Sequence, residues 1–267
     1  MKYFAWTTDT HLNLLTERDY GEYFEYLAEL NPEALLITGD IAEGEFLDKS
    51  LFDFKNKLNF PVYFVLGNHD FYFTGFEERE KKLRQIVKNS ENLFWLTEAG
   101  IIPLNEKTAL VGVEGWGDGR HGTLNLSEGA SRDVLRIQDY RGLSREEFGF
   151  FLHKMGDKYA SILRSVLPEA LKKYPKVILA THVPPFVEVC FGRDLRICGE
   201  YKLPFYTCKA IGDFLLETAE ENPNCQITVL CGHTHEKAEA QIRENLLVRV
   251  KESGYGSWWE ATMIGIN

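Results

Sequence analysis

The stretch Pro61-Val62-Tyr63-Phe64-Val65-Leu66-Gly67-Asn68-His69-Asp70 passes without a break from an apolar run into a glycine and three polar side chains. A short run of Val, Tyr and Phe behind a proline reads as a buried strand. The same arrangement recurs outward in both directions. Lys2–Thr7 leads into Asp9-Thr10-His11, and Ala34–Thr38 into Gly39-Asp40. Val177–Ala180 leads into Thr181-His182, and Ile227–Leu230 into Gly232-His233-Thr234-His235. Helical patterns around Asp19–Leu30, Glu45–Leu58, Gly75–Asn89 and Lys209–Glu220 fall between these runs, and further short strands are expected at Leu93–Leu96, Ala109–Gly115 and Leu246–Val250. This alternation predicts an α/β fold with covered sheets, whose chemistry collects at the carboxyl ends of the strands.

Of the seven histidines in the chain, five (His11, His69, His182, His233 and His235) lie inside these motifs. A lone histidine is more often structural than a ligand, but five of seven placed at strand ends need another explanation. Carboxylate oxygen and imidazole nitrogen suit Mn, Fe, Zn or Ni, and the absence of thiolate argues against a structural zinc. Two such ions held roughly 3.5–4 Å apart can activate water and clamp both oxygens of an in-line displacement at phosphorus. One carboxylate must bridge them, and Asp40 is the natural choice because Gly39 lets backbone approach closely. Asp9 and His11 are two apart, so on an extended strand end they point the same way and can hold one ion. His233 and His235 repeat that spacing. His69 stands beside Asn68, so with Asn68 as a ligand His69 is presented to whatever the metals bind.

The order Asp-x-His, Gly-Asp, Gly-Asn-His-Asp, lone His and Gly-His-x-His resembles the calcineurin-like metallophosphoesterase superfamily, from residue 1 to about 250. Asp-x-His alone would carry nothing; the set carries the resemblance. It implies a four-layer α/β/β/α sandwich with two mixed β-sheets. It further implies one divalent ion held by Asp9, His11, Asp40 and His235, and a second held by Asp40, Asn68, His182 and His233. Manganese is the first expectation for both, with Fe, Zn or Ni as alternatives. His69 matches the family's non-ligand histidine, which stabilises the transferring phosphoryl oxygens and protonates the leaving group. The reaction implied is hydrolysis of a phosphate ester, with a phosphodiester favoured. A nuclease or nucleotide pyrophosphatase on the same site is an alternative, as is a non-catalytic scaffold of the same fold. A scaffold needs none of the ligands, and here no ligand position is replaced.

Two positions depart from the phosphoprotein phosphatases of that superfamily. Leu66 stands where they carry a phosphate-gripping arginine before Gly-Asn-His, which argues against a serine/threonine protein phosphatase. Glu43 stands where they carry the Asp that orients the catalytic histidine, so Glu43 is the expected orienter of His69.

Composition agrees with a soluble enzyme of one domain spanning 1–267. Apolar residues at 44% and charged residues at 26% are ordinary globular values. No apolar run approaches the ~20 residues of a membrane span. Met1–Trp6 passes directly toward Asp9, which leaves no room for a signal peptide, and five cysteines without Cys-x-x-Cys pairs read as free thiols in a reducing, cytoplasmic setting. Cys190, Cys198 and Cys208 fall in one loop-rich stretch and form a candidate redox or second metal site. The net charge of −10 disfavours duplex nucleic acid, which rewards basic stripes, while the resemblance implies a small phosphorylated substrate such as a nucleotide.

Between the Asn68 and His182 motifs the rhythm breaks. A glycine-rich loop, Gly115-Trp116-Gly117-Asp118-Gly119-Arg120-His121-Gly122, is followed by polar sequence and a helical pattern from Ser144 to Tyr174. An insertion around 117–174 is expected to cap the site, since lids set specificity and exclude water. Arg120 is the candidate phosphate clamp within it, because guanidinium matches phosphate bidentately. His121 and His153 read as ordinary histidines, and Trp116, Trp258 and Trp259 as packing residues. Phe186–Pro204 is the candidate second rim of the site.

Overall fold

The computed structural model describes residues 1–125, 131–192, 194, 196–258 and 260–266. In chain order these form β1 (Tyr3–Thr7), α1 (Glu17–Leu30), β2 (Leu35–Thr38), α2 (Glu45–Lys57), β3 (Val62–Val65), α3 (Phe76–Lys88), β4 (Leu93–Trp95) and α4 (Leu96–Ala99). There follow β5 (Ile102–Pro103), β6 (Thr108–Gly112), α5 (Ser131–Arg136), α6 (Arg145–Leu171), β7 (Lys176–Ala180) and α7 (Leu203–Tyr206). The chain closes with α8 (Lys209–Glu221), β8 (Gln226–Cys231), β9 (Ala238–Arg243), β10 (Leu246–Val250) and β11 (Thr262–Gly265).

The strands form two mixed sheets, in the order β11-β1-β2-β3-β4 and β5-β6-β7-β8-β10-β9. Neighbours run parallel from β1 to β4, and likewise through β6, β7, β8 and β10. Antiparallel strands flank three of the four edges: β11 beside β1, β5 beside β6, and β9 beside β10. Because side chains alternate along a strand, each sheet has two apolar faces to cover. Phe4, Trp6, Leu36, Tyr63 and Val65 of the first sheet meet Leu110, Ile178, Ala180 and Leu230 of the second. The alternate set, including Ala5, Leu35, Ile37, Phe64, Val177, Leu179 and Val229, packs into the larger helix-facing core. The layers are therefore helix, sheet, sheet, helix, as the resemblance implies.

Helix boundaries follow local chemistry. Thr16 caps α1 by accepting from Asp19 N, and Ser144 with Glu147 makes a capping box at the start of α6. Of the expected cap over 117–174, residues 145–171 are this one helix, which packs against β6, β7 and α8 with Phe148, Leu152, Tyr159, Leu163 and Leu167 buried. Residues 126–130 of that stretch lie outside the described residues. The run expected as a strand to Leu96 ends at Trp95, where α4 begins.

Directly after β6, Glu114 is fully buried; its carboxylate accepts from Trp95 Nε1 and Thr97 Oγ1, and its carbonyl accepts from His182 N at 2.7 Å. Removing the carboxylate leaves the buried Trp95 N–H and the part-buried Thr97 hydroxyl without this partner. Glu114→Ala is expected to lower unfolding stability by about 3 kcal/mol, read from the urea midpoint, and an unchanged midpoint would contradict this role.

Candidate metal centre

The parallel strands bring five motifs to one end of the sandwich. Beyond β1 stand Asp9 and His11, beyond β2 Asp40, beyond β3 Asn68 and His69, beyond β7 His182, and beyond β8 His233 and His235. Asp9, His11, Asp40, His233 and His235 all hold left-handed backbone, with φ of 48°, 40°, 52°, 72° and 63°. Non-glycine residues rarely stay there, at a cost of order 1–3 kcal/mol each, so the surrounding structure must impose it. The chain turns sharply off each strand and throws its side chain inward. Two glycines permit the crowding: a Cβ on Gly67 would meet Asp40 Oδ1 at 2.1 Å, and one on Gly232 would meet Asp9 Oδ2 at 2.2 Å.

Two donor groups result, sharing Asp40. Asp9, His11, Asp40 and His235 form one, and Asp40, His182 and His233 the other. His235 Nε2 lies 3.2 Å from Asp9 Oδ1, and His11 Nε2 lies 3.4 Å from His235 Nε2. His182 Nε2 lies 3.4 Å from Asp40 Oδ1, 3.2 Å from Asn68 Oδ1 and 3.2 Å from His233 Nδ1. Donors coordinating one ion at about 2.1 Å sit roughly 3.0–3.4 Å apart, between octahedral and tetrahedral edges, so this spacing fits a shared divalent cation. Ring nitrogens facing one another also need something positive between them.

Electrostatics agree. Burial alone would raise the Asp40 carboxyl, but His182, His69 and His11 around it hold it well below the usual range. Burial pulls His11 down to about 4 and His233 down to about 3, so both rings are neutral at pH 7 and offer lone pairs. His69 moves the other way: burial lowers it, yet the Asp40 charge and the bond to Glu43 outweigh burial and raise it.

Around the donors lies a second set of contacts. Glu43 Oε1 is 3.0 Å from His69 Nδ1, and Arg136 Nη1 reaches both Glu43 oxygens at 3.1 Å. His182 Nδ1 is 2.8 Å from Thr38 O, and His233 Nε2 is 3.1 Å from Phe205 O. Asp70, fully buried, accepts from Ala42 N and Gly67 N and so fixes the loop that presents Asn68. Asp133 on α5 accepts from Asn68 Nδ2 at 2.8 Å, which turns the Asn68 carbonyl toward His182. Tyr72, Tyr206 and Tyr255 lay rings against His69, His233 and His11 respectively.

Of these, sequence reading found Glu43 and missed Asp133, Arg136 and the tyrosines. Nothing local marks Asp133, which stands past residues 126–130 in a polar stretch. Arg120 is not in the site. Its fork is held by buried Asp118 at 3.0 Å and by Asp157 at 2.8 Å, against α6, and the expected phosphate clamp is corrected accordingly. His121 bonds Thr207 and joins neither donor group, as does not His153. Trp116 packs in the core with its Nε1 on Tyr140, and Trp258 packs on Tyr26; Trp259 lies outside the described residues.

The donors floor a cleft of about 970 Å³. Its walls are Arg132 and Asp133 of α5, parts of the stretch from Phe191 to Tyr206, and Tyr255.

A family model described as calcineurin-like phosphoesterase matches residues 3–237. A phosphopantetheinyl hydrolase from Mycobacterium tuberculosis superposes with a TM-score of 0.65 at 17% identity, covering 94% of this chain and 89% of that one. A dimetal phosphatase from Danio rerio superposes with a TM-score of 0.59 at 11% identity, covering 94% and 87%. A search of curated proteins returns no match.

Asp133 touches a donor without being one, so its removal tests the site apart from turnover. Asp133→Ala is expected to weaken retention of one divalent ion 10–100-fold in a chelator competition, with the other ion retained. Equal retention of both would contradict its part in holding Asn68.

Proposed function

Since the chain belongs to the calcineurin-like phosphoesterase family and is a metallophosphoesterase, we propose that it hydrolyses a small phosphodiester of nucleotide size at a binuclear centre. Asp9, His11, Asp40 and His235 would hold one ion, and Asp40, Asn68, His182 and His233 the other. The observation that carries this reading is the pair of donor groups joined at Asp40. We take Mn²⁺ as the working metal and the cytoplasm as the working location. We also take the chain as one catalytic unit whose cap lies within 117–174, with α5 as the part that reaches the cleft.

Three features favour a diester. Buried Leu66 occupies the place of a phosphate-gripping arginine, and Arg120 is engaged elsewhere, so neither position supplies a guanidinium to a dianionic monoester. A cleft of about 970 Å³ gives room for substituents on both sides of the phosphorus. Phe191, Tyr206 and Tyr255 offer aromatic walls for a base or similar group. The M. tuberculosis neighbour, by its name, acts on a phosphopantetheinyl group, again a small phosphorylated substrate.

When bound, two divalent ions supply Lewis acidity to the phosphoryl oxygens and an activated water at neutral pH. The chain's own residues do the rest. His69 Nε2 points into the donor group, 3.9 Å from Asp40 Oδ2. With its Nδ1 proton donated to Glu43, a protonated His69 carries its other proton on Nε2, facing the leaving oxygen. Arg136 holds Glu43 in place, so the ring cannot swing out of line.

His69→Ala is expected to keep both ions and lose ~10²–10⁴ of turnover, as removal of a leaving-group acid does. Asp40→Asn should lose metal together with activity; two ions per chain by elemental analysis would rule out the bridging role. With Mn²⁺-reconstituted protein, bis-p-nitrophenyl phosphate is expected to turn over faster than p-nitrophenyl phosphate, and the reverse order would overturn the diester reading.

A further inference from the structure

One wall of the cleft contains a pair of cysteines that the reaction does not use. Cys198 N donates to Cys190 O at 2.8 Å, and Gly192 N donates to Arg196 O at 2.8 Å, with Phe191 paired antiparallel to Ile197. Those bonds bracket Phe191 and Ile197 as a non-hydrogen-bonded pair, so Cys190 and Cys198 are the next pair along, with side chains on one face. Cα atoms of such hydrogen-bonded partners are about 5.5 Å apart, inside the range of about 4.4–6.8 Å that a disulfide spans. The two thiols interact directly with each other.

The other cysteines are placed apart. Cys208 is buried beside Asp118 and the backbone of Trp116, Cys225 Sγ lies on Leu171 O, and Cys231 Sγ lies on Arg249 O. Cys190 is fully buried, whereas Cys198, 6% exposed, lines the cleft and is the nearer of the two to a small reagent entering there. The hydrogen bond from Cys190, helped by Lys202, lowers the Cys198 thiol against the opposing effect of burial. Cys198 is thus the group that reacts first and Cys190 the one that resolves.

We propose that Cys190 and Cys198 form a reversible redox site, a dithiol that closes to a disulfide on reaction with a small-molecule disulfide and pins the wall of the cleft. The Cys198 thiolate attacks one sulfur of the oxidant, forming a mixed disulfide and releasing one small thiol. The Cys190 sulfur then attacks Cys198 Sγ, gives up its proton, and expels the second small thiol. Two protein sulfurs are oxidised and two oxidant sulfurs reduced. The bridge joins the strands that carry Phe191 and Ile197, both of which line the cleft. No cysteine belongs to the donor groups, so bound metal is untouched.

The test is to incubate native, metal-loaded protein with oxidised glutathione, alkylate the remaining thiols, and map the peptides without reduction. The expected result is one intramolecular Cys190–Cys198 bridge, loss of two of the five free thiols, unchanged metal content and full reversal by dithiothreitol. Cys190→Ser should stop at glutathione on Cys198, and Cys208→Ser should bridge as the wild type does. The wild-type map decides even where a serine variant folds poorly. Five surviving thiols, a stable glutathione adduct on unmodified Cys190–Cys198 pairs, or a bridge to Cys208 would each overturn the proposal.

Discussion

Everything at the working end of this molecule depends on bringing the Asp9 carboxylate, the Asn68 amide and four imidazoles around Asp40 in one buried cluster. Such a cluster opposes folding on its own account, since burial penalises charge and facing ring nitrogens repel. Five of its members add left-handed backbone, worth about 1–3 kcal/mol each in strain. What holds it is the fixed end of two parallel sheets, where the ladder ends at Thr7, Thr38, Val65, Ala180 and Cys231 and backbone donors turn onto the carboxylates. Asp40 accepts from His69 N, Asp9 accepts from His233 N, and Asp70 accepts from both Ala42 N and Gly67 N. Each carboxylate therefore ties one strand end to another, and the site and the sandwich stabilise each other.

The same logic explains why the middle of the chain matters to chemistry that sits elsewhere in sequence. A primary amide has two equivalent-looking ends, and Asn68 can offer oxygen or nitrogen to its neighbours. Asp133 removes the ambiguity, because a carboxylate accepts and does not donate, so Nδ2 turns to α5 and Oδ1 to His182. Arg136, one helical turn on, holds Glu43 and through it His69. One short helix thus sets the orientation of Asn68 and of His69, while α6, expected with it as a cap, is a structural helix buried against β6 and α8.

The parts legible in sequence are those governed by local rules. Parallel central strands read as apolar runs because both faces are buried, and strand-end motifs gave all eight donor and histidine positions that meet in the structure. β9 and β11 were not legible. β9 alternates buried and exposed residues as an edge strand, and β11 is a short run whose pairing with β1 is a long-range event. Glu43 was found through the resemblance, because it stands where the phosphoprotein phosphatases carry the Asp that orients the catalytic histidine. Asp133, Arg136 and Tyr255 reach the site only through tertiary contact, and Arg120 misled because a glycine-rich setting looks like a ligand loop, while Asp118 and Asp157 already satisfy its guanidinium.

A net charge of −10 raises the question of how an anionic ester approaches. The field at a site is set by nearby charges, and bulk charge is screened beyond about 8–10 Å at physiological salt. Two divalent ions would add four positive charges against the two of Asp9 and Asp40, which leaves the floor of the cleft cationic. Arg132, Arg196 and Lys202 stand along its walls, with Asp133 and Asp194 as acidic members. Acidic residues elsewhere, such as those exposed on α1, repel polyanions that would have to lie across a wide surface. A compact monoanion entering the cleft meets only the local field. On the proposed reading, charge distribution would thus select for the size of the substrate as well as its sign, favouring a small ester over a nucleic acid.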